Sequence, residues 1–241
     1  MSTELLDSEM GTVLVVDDDI PLRRALHVTL SGMGFTVVDA CRGEEAVSLI
    51  ETAQFDAVLL DVDIPGMGGV EACRRMRYTR ARLPILMLSA MDGVNVKEMA
   101  LDAGADDYIT KPFRLRELAA RLRSAIRRSH TEDNGRIAPI RHGQLELDLA
   151  KYRVQKLGRS IHLSPKEFEI LHYFMIHPGE LIPHARLLKA VWGPGYADEF
   201  VYLRIYVGQL RKKIEDDPLN PKYLRTVPHL GYKFDAELQD S

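Results

Sequence analysis

Along the first half of the chain, short apolar runs alternate with stretches in which apolar residues recur at helical spacing. Val13-Leu-Val-Val16, Ala57-Val-Leu-Leu60, Ile85-Leu-Met-Leu88 and Tyr108-Ile-Thr110 read as buried strands. Helical spacing is present near residues 21–31, 43–52, 68–77, 95–103 and 115–128. This alternation predicts an α/β domain built on a five-stranded doubly wound parallel sheet. Past residue 128 the texture changes. Ser129-His-Thr-Glu-Asp-Asn-Gly135 is polar and without period, and a linker is expected over 129–139. Beyond it, short alternating runs (Leu145 to Leu147, Arg153 to Gln155, Ile161 to Leu163) lead into helices expected near 165–177, 184–191 and 199–215, and strands near 223–227 and 232–234 close the chain. Ser164, Pro165 and Glu167 have the spacing of a capped helix start with a capping box. Two domains are therefore expected, over 11–128 and 140–238.

Charge and composition change this picture little. A net charge of −3 over 241 residues conceals an excess of acid before residue 130 and a basic cluster at Arg211-Lys-Lys213. Whole-chain charge does not mark a nucleic-acid binder, so that case rests on the cluster. Cys41 and Cys73 are too few for a disulfide framework or a cysteine metal site. The acidic first ten residues lack the basic and apolar regions of a secretory signal, and no apolar run approaches the roughly 18 residues that would span a bilayer. A cytoplasmic protein with no membrane contact is expected.

Asp17, Asp18, Asp61, Ser89 and Lys111 each fall at or just after the end of a strand run. In a parallel sheet the carboxyl ends of the strands share one edge, so these residues are expected to converge on one crevice. Taken singly they have plain explanations: Asp17 to Asp19 could favour a helix start before Pro21, and Lys111 could be a loop lysine. Together they have complementary chemistry. Carboxylates from Asp17, Asp18 and Asp61 suit Mg²⁺, a hard ion that keeps several waters. Asp61 also has an oxygen with which to attack phosphorus, and the metal and the Lys111 ammonium would offset charge on the transferred group. Ser89 can hydrogen-bond a phosphoryl oxygen, and Ala90 beside it leaves room.

The segments Leu14-Val-Val-Asp-Asp-Asp19, Leu59-Leu-Asp-Val-Asp-Ile-Pro-Gly-Met-Gly-Gly69, Met87-Leu-Ser-Ala90 and Gly104-Ala-Asp-Asp-Tyr-Ile-Thr-Lys-Pro-Phe113 resemble the receiver domain of two-component response regulators, which has the flavodoxin-like (CheY-like) fold. The resemblance implies that a sensor histidine kinase phosphorylates Asp61. It further implies that Asp17 and Asp18, with the Asp63 backbone carbonyl, complete the Mg²⁺ site, that Ser89 and Tyr108 are a switch pair, and that Lys111 contacts the phosphoryl group ahead of a cis Pro112. Asp63 departs from the apolar residue commoner in transcriptional members and adds negative charge beside Asp61. The Asp61-Val-Asp63 spacing also fits a competing enzyme class, the haloacid-dehalogenase-type phosphatases. There, however, the paired acids follow the nucleophile rather than precede it, and no cap-domain insertion is visible. A DNA-binding protein with a vestigial, phosphorylation-independent receiver is the third reading, disfavoured because every crevice residue is present.

In the second domain, Leu203, Val207, Leu210 and Ile214 form an apolar helical stripe, with Arg204, Gly208, Arg211 and Lys212 largely on the other side. A charged stripe of this kind is most often a solvated face. The helices before it and the strand pair after it instead fit a winged helix-turn-helix. Gly208 in mid-helix costs about 1 kcal/mol relative to Ala, so a close approach by DNA or a neighbouring helix is expected there. Leu163 to Leu171, Trp192-Gly193, Leu210-Arg-Lys-Lys-Ile214, Thr226-Val227 and Gly231-Tyr232 resemble the effector domain of the OmpR/PhoB class. Trp192-Gly-Pro-Gly195 and Tyr202-Leu-Arg-Ile-Tyr206 are similar to its potassium-transport regulators.

By that resemblance the protein is a transcription factor rather than an enzyme. Ile205, Gln209 and Arg211 would face the major groove of promoter DNA, with Arg204 and Lys212 near base edges or phosphates and Thr226 in the wing. Pro228 replaces a wing arginine common in the class, with His229 as a substitute contact. The loop from Gly193 to Asp198 would meet RNA polymerase. Phosphorylation would produce a homodimer through the fourth and fifth helices and fifth strand. There Lys97, Asp102 and Asp107 would meet Glu117, Arg123 and Arg121, with Val94, Leu101 and Ala119 between.

Overall fold

A computed structural model of the chain describes residues 10–91, 93–129 and 138–235. They fall into two compact units divided between residues 131 and 132. Of the expected linker, 130–137 lies outside the described residues, and Ser129 is the last residue of a helix.

In the first unit, β1 (Thr12–Val16), β2 (Thr36–Ala40), β3 (Ala57–Asp61), β4 (Ile85–Ser89) and β5 (Asp107–Thr110) form one parallel sheet in the order β2-β1-β3-β4-β5. Helices α1 (Ile20–Ser31), α2 (Gly43–Thr52), α3 (Gly69–Thr79), α4 (Val94–Asp102) and α5 (Leu115–Ser129) link the strands. This is the flavodoxin-like order, with a switch point at the carboxyl ends of β1 and β3. Central strands covered on both faces need apolar residues at nearly every position, and all of β3 and β4 is buried. Leu26 and Leu30 of α1 and Leu118, Leu122 and Ile126 of α5 pack against Val13, Val15, Leu59 and Leu88 on one face. Buried Ala46, Ile50, Ala72, Met76 and Ala100 line the helices α2 to α4 on the other.

The second unit opens with a four-stranded antiparallel sheet of β6 (Ile140–His142), β7 (Leu145–Asp148), β8 (Arg153–Lys156) and β9 (Arg159–Ile161). Helices α6 (Pro165–Met175), α7 (His184–Val191) and α8 (Phe200–Ile214) follow, with a single 3₁₀ turn at Pro194–Tyr196 between the last two. The expected capping box is formed: Ser164 Oγ accepts from the Glu167 N–H, and the Glu167 carboxylate accepts from the Ser164 N–H at 2.7 Å. The chain closes with the hairpin β11 (Leu224–Val227) and β12 (Gly231–Phe234), and β10 (Leu181–Pro183) pairs with β12. Three helices and a hairpin in this order make a winged helix-turn-helix, with α8 in the recognition position and β11–β12 as the wing. Glu215, just past α8, joins the two, its buried carboxylate accepting the N–H groups of Lys222, Tyr223 and Leu224 at 2.9 Å each.

Candidate functional site

The acidic run after β1 divides its work. Asp19 caps α1, its carboxylate accepting the Leu22 N–H at 3.1 Å, and Pro21 sits in the first turn. Asp17 and Asp18 are left for the crevice. One ligand atom each from Asp17, Asp18 and Asp61 lie within 4.8 Å of one another, with Asp17 and Asp61 buried and Asp18 exposed. Lys111, immediately after β5, reaches back to both buried carboxylates, at 2.8 Å from Asp17 and 3.0 Å from Asp61. The Lys111–Pro112 peptide is cis, as expected.

The two oxygens of Asp61 differ. Oδ2 takes the lysine, whereas Oδ1 is buried with no hydrogen-bond partner. An acceptor buried without a donor is costly, and such groups mark sites completed by something else. Burial pushes the Asp61 carboxyl above its ordinary range, opposed by the Lys111 hydrogen bond and reinforced by Asp17. Burial pushes the Lys111 ammonium down, but its bonds to Asp17 and Asp61 outweigh this and hold it above the usual lysine value. Three convergent carboxylates with an orphaned buried oxygen fit a hard divalent cation, and oxygen ligands of this kind are what Mg²⁺ takes. Asp63, two residues on, is exposed.

The expected switch pair is linked through Met91, which no sequence pattern singles out. Ser89 Oγ accepts from the Met91 N–H at 3.0 Å, and the Tyr108 hydroxyl donates to the Met91 carbonyl at 2.6 Å. A hydroxyl that accepts still has its proton to donate. The buried Ser89 can therefore bond a phosphoryl oxygen without releasing Met91.

In the second unit the expected apolar stripe is present: Leu203, Val207, Leu210 and Ile214 are all buried. One expected DNA contact is not on the surface and another is engaged within the chain. Ile205 is buried with Tyr202 and Tyr206, because the apolar face of α8 is wider than the four-residue stripe suggests. Arg211 turns onto the wing, donating to the Leu224 carbonyl at 2.7 and 2.9 Å and to Thr226 Oγ1 at 2.8 Å, and burial lowers its pKa. Lys213 is spent on Glu167 at 2.6 Å. The basic cluster thus gives the solvent face chiefly Lys212. Arg204 and Lys212 are exposed, Gly208 and Gln209 half-buried, and Arg204, Gly208 and Lys212 lie four residues apart on one face. A Cβ on Gly208 would meet no atom within 4 Å, so no neighbouring helix explains that glycine. His229 occupies the wing turn at φ +63°, and it and Pro228 are exposed.

The face expected to dimerise is also altered. Arg121 pairs within the chain, with Asp107 at 3.1 Å and Glu117 at 2.8 Å. Leu101 and Ala119 belong to the core, while Val94 and Met99 are exposed. Lys97, Asp102 and Arg123 lie on α4 and α5.

Comparison with known proteins agrees with this geometry. Residues 13–123 match the response regulator receiver domain, and residues 158–234 match the C-terminal domain of transcriptional regulatory proteins. The chain is 41% identical over 227 residues to the transcriptional regulatory protein KdpE of Mycobacterium tuberculosis, covering 94% of this chain and all of that one. It is 40% identical over 220 residues to the response regulator MprA of the same species, covering 91% of this chain and 95% of the relative. A solved structure of a RitR mutant has a TM-score of 0.75 over 94% of this chain and 99% of the other; at 22% identity it speaks for the fold alone. The chain belongs to the OmpR/PhoB class of two-component response regulators. It is a phosphorylation-dependent, DNA-binding regulator of transcription, in a family of regulators rather than enzymes, and its domains imply a histidine kinase and DNA as partners. Among the described residues no helix is long and apolar enough to cross a membrane.

Proposed function

We propose that Asp61 is the phosphoacceptor, that Asp17, Asp18, Asp61 and the Asp63 carbonyl hold Mg²⁺, and that the receiver and effector occupy 11–128 and 140–238. The observation that carries this is the division of Asp61 into one oxygen held by Lys111 and one buried without a partner. A carboxylate oxygen forms the new P–O bond as the P–N bond of a kinase phosphohistidine breaks, giving an acyl phosphate. Lys111 faces the incoming phosphoryl oxygens and Ser89 donates to one of them. Bound Mg²⁺ supplies further positive charge against that group. Tyr108, tied to Met91 as Ser89 is, carries the change toward α4. The three carboxylates gathered at one point favour acceptance of one phosphoryl group over the turnover of a phosphatase, whose acids come in another chain order.

On the DNA side, Arg204, Gln209 and Lys212 face the major groove, with Gly208 letting backbone approach closely. Thr226 keeps a proton to donate in the wing, and Arg211 acts by fixing the wing to α8. Phosphorylated chains pair through α4, β5 and α5, with Val94 and Met99 as the apolar contribution in place of Leu101 and Ala119. The pairs Arg121–Asp107 and Arg121–Glu117 brace this face from within, and Lys97, Asp102 and Arg123 contribute contacts across it. Paired effectors bind direct repeats about 10–11 bp apart, with the loop from Gly193 to Asp198 toward RNA polymerase, in the cytoplasm. The near-equal identities to KdpE and MprA do not favour potassium transport as the controlled process. Genome-wide footprinting with and without acetyl phosphate tests the reading: occupancy of spaced repeats should rise with the donor in the parent and not in Asp61→Asn. Equal occupancy in both proteins would refute it.

A further inference from the structure

The loop between β3 and α3 follows Asp61 directly and is held at two points. The Gly69 N–H bonds the Val62 carbonyl at 3.0 Å and closes its base. The Asp63 N–H lies toward the Asp61 carboxylate, where it favours the charged form. Near its apex, the Met67 N–H donates to Glu44 Oε1 at 2.8 Å, a bond that crosses from the first turn of α2.

An acid in a first helical turn is ordinarily explained by the helix dipole. Glu45 fits that role, its carboxylate accepting the Cys41 N–H at 2.9 Å just before its own helix. Glu44 points elsewhere, and the surroundings are shaped to admit it. A Cβ on Gly66, at φ +86°, would come within 2.5 Å of Glu44 Oε1, and one on Gly43 within 2.7 Å of Met67 Cγ. Both glycines allow α2 and the loop to approach so closely that the carboxylate reaches the Met67 amide. Gly66 and Gly68, both at positive φ, would leave the loop many conformations without that bond.

We infer that Glu44 is a positioning residue for phosphoryl transfer: its carboxylate pins the β3–α3 loop so that the Asp63 backbone stays beside Asp61. The inference rests on Asp61 as phosphoacceptor and Asp63 as a metal ligand. Glu44 touches no reacting atom. It acts as groups behind a metal site do, by orienting what the metal touches, and losing such groups typically weakens metal binding about 10-fold or more. The bond is exposed, so the lower end of that range applies.

The test uses the full chain as parent, Glu44→Ala, Glu44→Gln and Asp61→Asn. Mg²⁺ binding is measured by calorimetry without a phosphodonor, and the Mg²⁺ dependence of acetyl phosphate labelling is measured beside it. Glu44→Ala should weaken Mg²⁺ binding by about tenfold and shift the half-saturating Mg²⁺ for labelling by the same factor. Glu44→Gln, which keeps an oxygen to accept the Met67 N–H, should stay within about twofold of the parent. If Glu44→Ala binds Mg²⁺ like the parent, or Glu44→Gln falls as far as Glu44→Ala, the inference fails while the Asp61 reading stands. A parent that takes no label at Asp61 overturns both.

Discussion

The receiver crevice and the recognition helix both gather charged residues, but they use them in opposite ways. In the crevice, Asp17, Asp61 and Lys111 come from three separate strand ends and point at one spot, where they leave a buried carboxylate oxygen without a partner. On α8, Arg211 and Lys213 sit among the basic residues nearest in sequence, yet both turn back to hold the wing and α6. In a parallel sheet, topology alone brings strand ends together, so convergence needs no particular neighbour. On a helix, period places a residue on a face, but partners remote in sequence decide where a long side chain ends.

The sharpest break in that contrast would come from Lys111. Lys111→Ala should slow labelling of Asp61 by acetyl phosphate by about 10²-fold, the scale for removing one charge-stabilising donor. Labelling at the parent rate would mean that the lysine is only a structural partner, like Arg211.

Arg211 and Lys212 are the matching pair on the other side. Arg211→Ala should lower the unfolding free energy of the effector by about 2–3 kcal/mol, the worth of hydrogen bonds from a charged donor. Lys212→Ala should leave stability within about 0.5 kcal/mol and reduce the salt dependence of DNA binding by about one phosphate contact. Urea unfolding and binding at several salt concentrations measure both, and reversed outcomes would undo the division of roles.

Gly208→Ala is the most specific change. A methyl group there meets nothing in the chain, so the variant should gain about 1 kcal/mol of stability while binding DNA more weakly. Unchanged DNA affinity would show that the glycine serves no approach.

How much could be read from sequence follows the same physics. Four strands of the receiver sheet, its helices and the crevice were legible because apolar runs and periodicity report burial, and strand ends report position; β2, buried only at Ala40, offers no such run. β6, β9 as placed and β10 were not, since strands of three residues carry too little pattern, and Pro183 argues against one. The intrachain placement of Ile205 and Arg211 was not legible, for want of the wing carbonyl and hydroxyl that receive Arg211, and of the wider apolar face that takes Ile205. Leu101 and Ala119 looked like surface because a nine-residue helix and the ends of α5 leave the buried face ambiguous. Met91 is bonded through its own backbone and the Glu44 carboxylate meets the backbone of Met67, contacts that no residue type announces.

The central claim is that Asp61 alone accepts the phosphoryl group, because among the crevice carboxylates it combines the lysine contact with an unpartnered oxygen. Intact-mass measurement of the parent chain with Mg²⁺ and acetyl phosphate, followed by site mapping, tests it directly. The account predicts one phosphoryl group per chain, on Asp61, and none on Asp61→Asn. A label of equal stoichiometry in Asp61→Asn, or one mapped to Asp17 or Asp18, would contradict it.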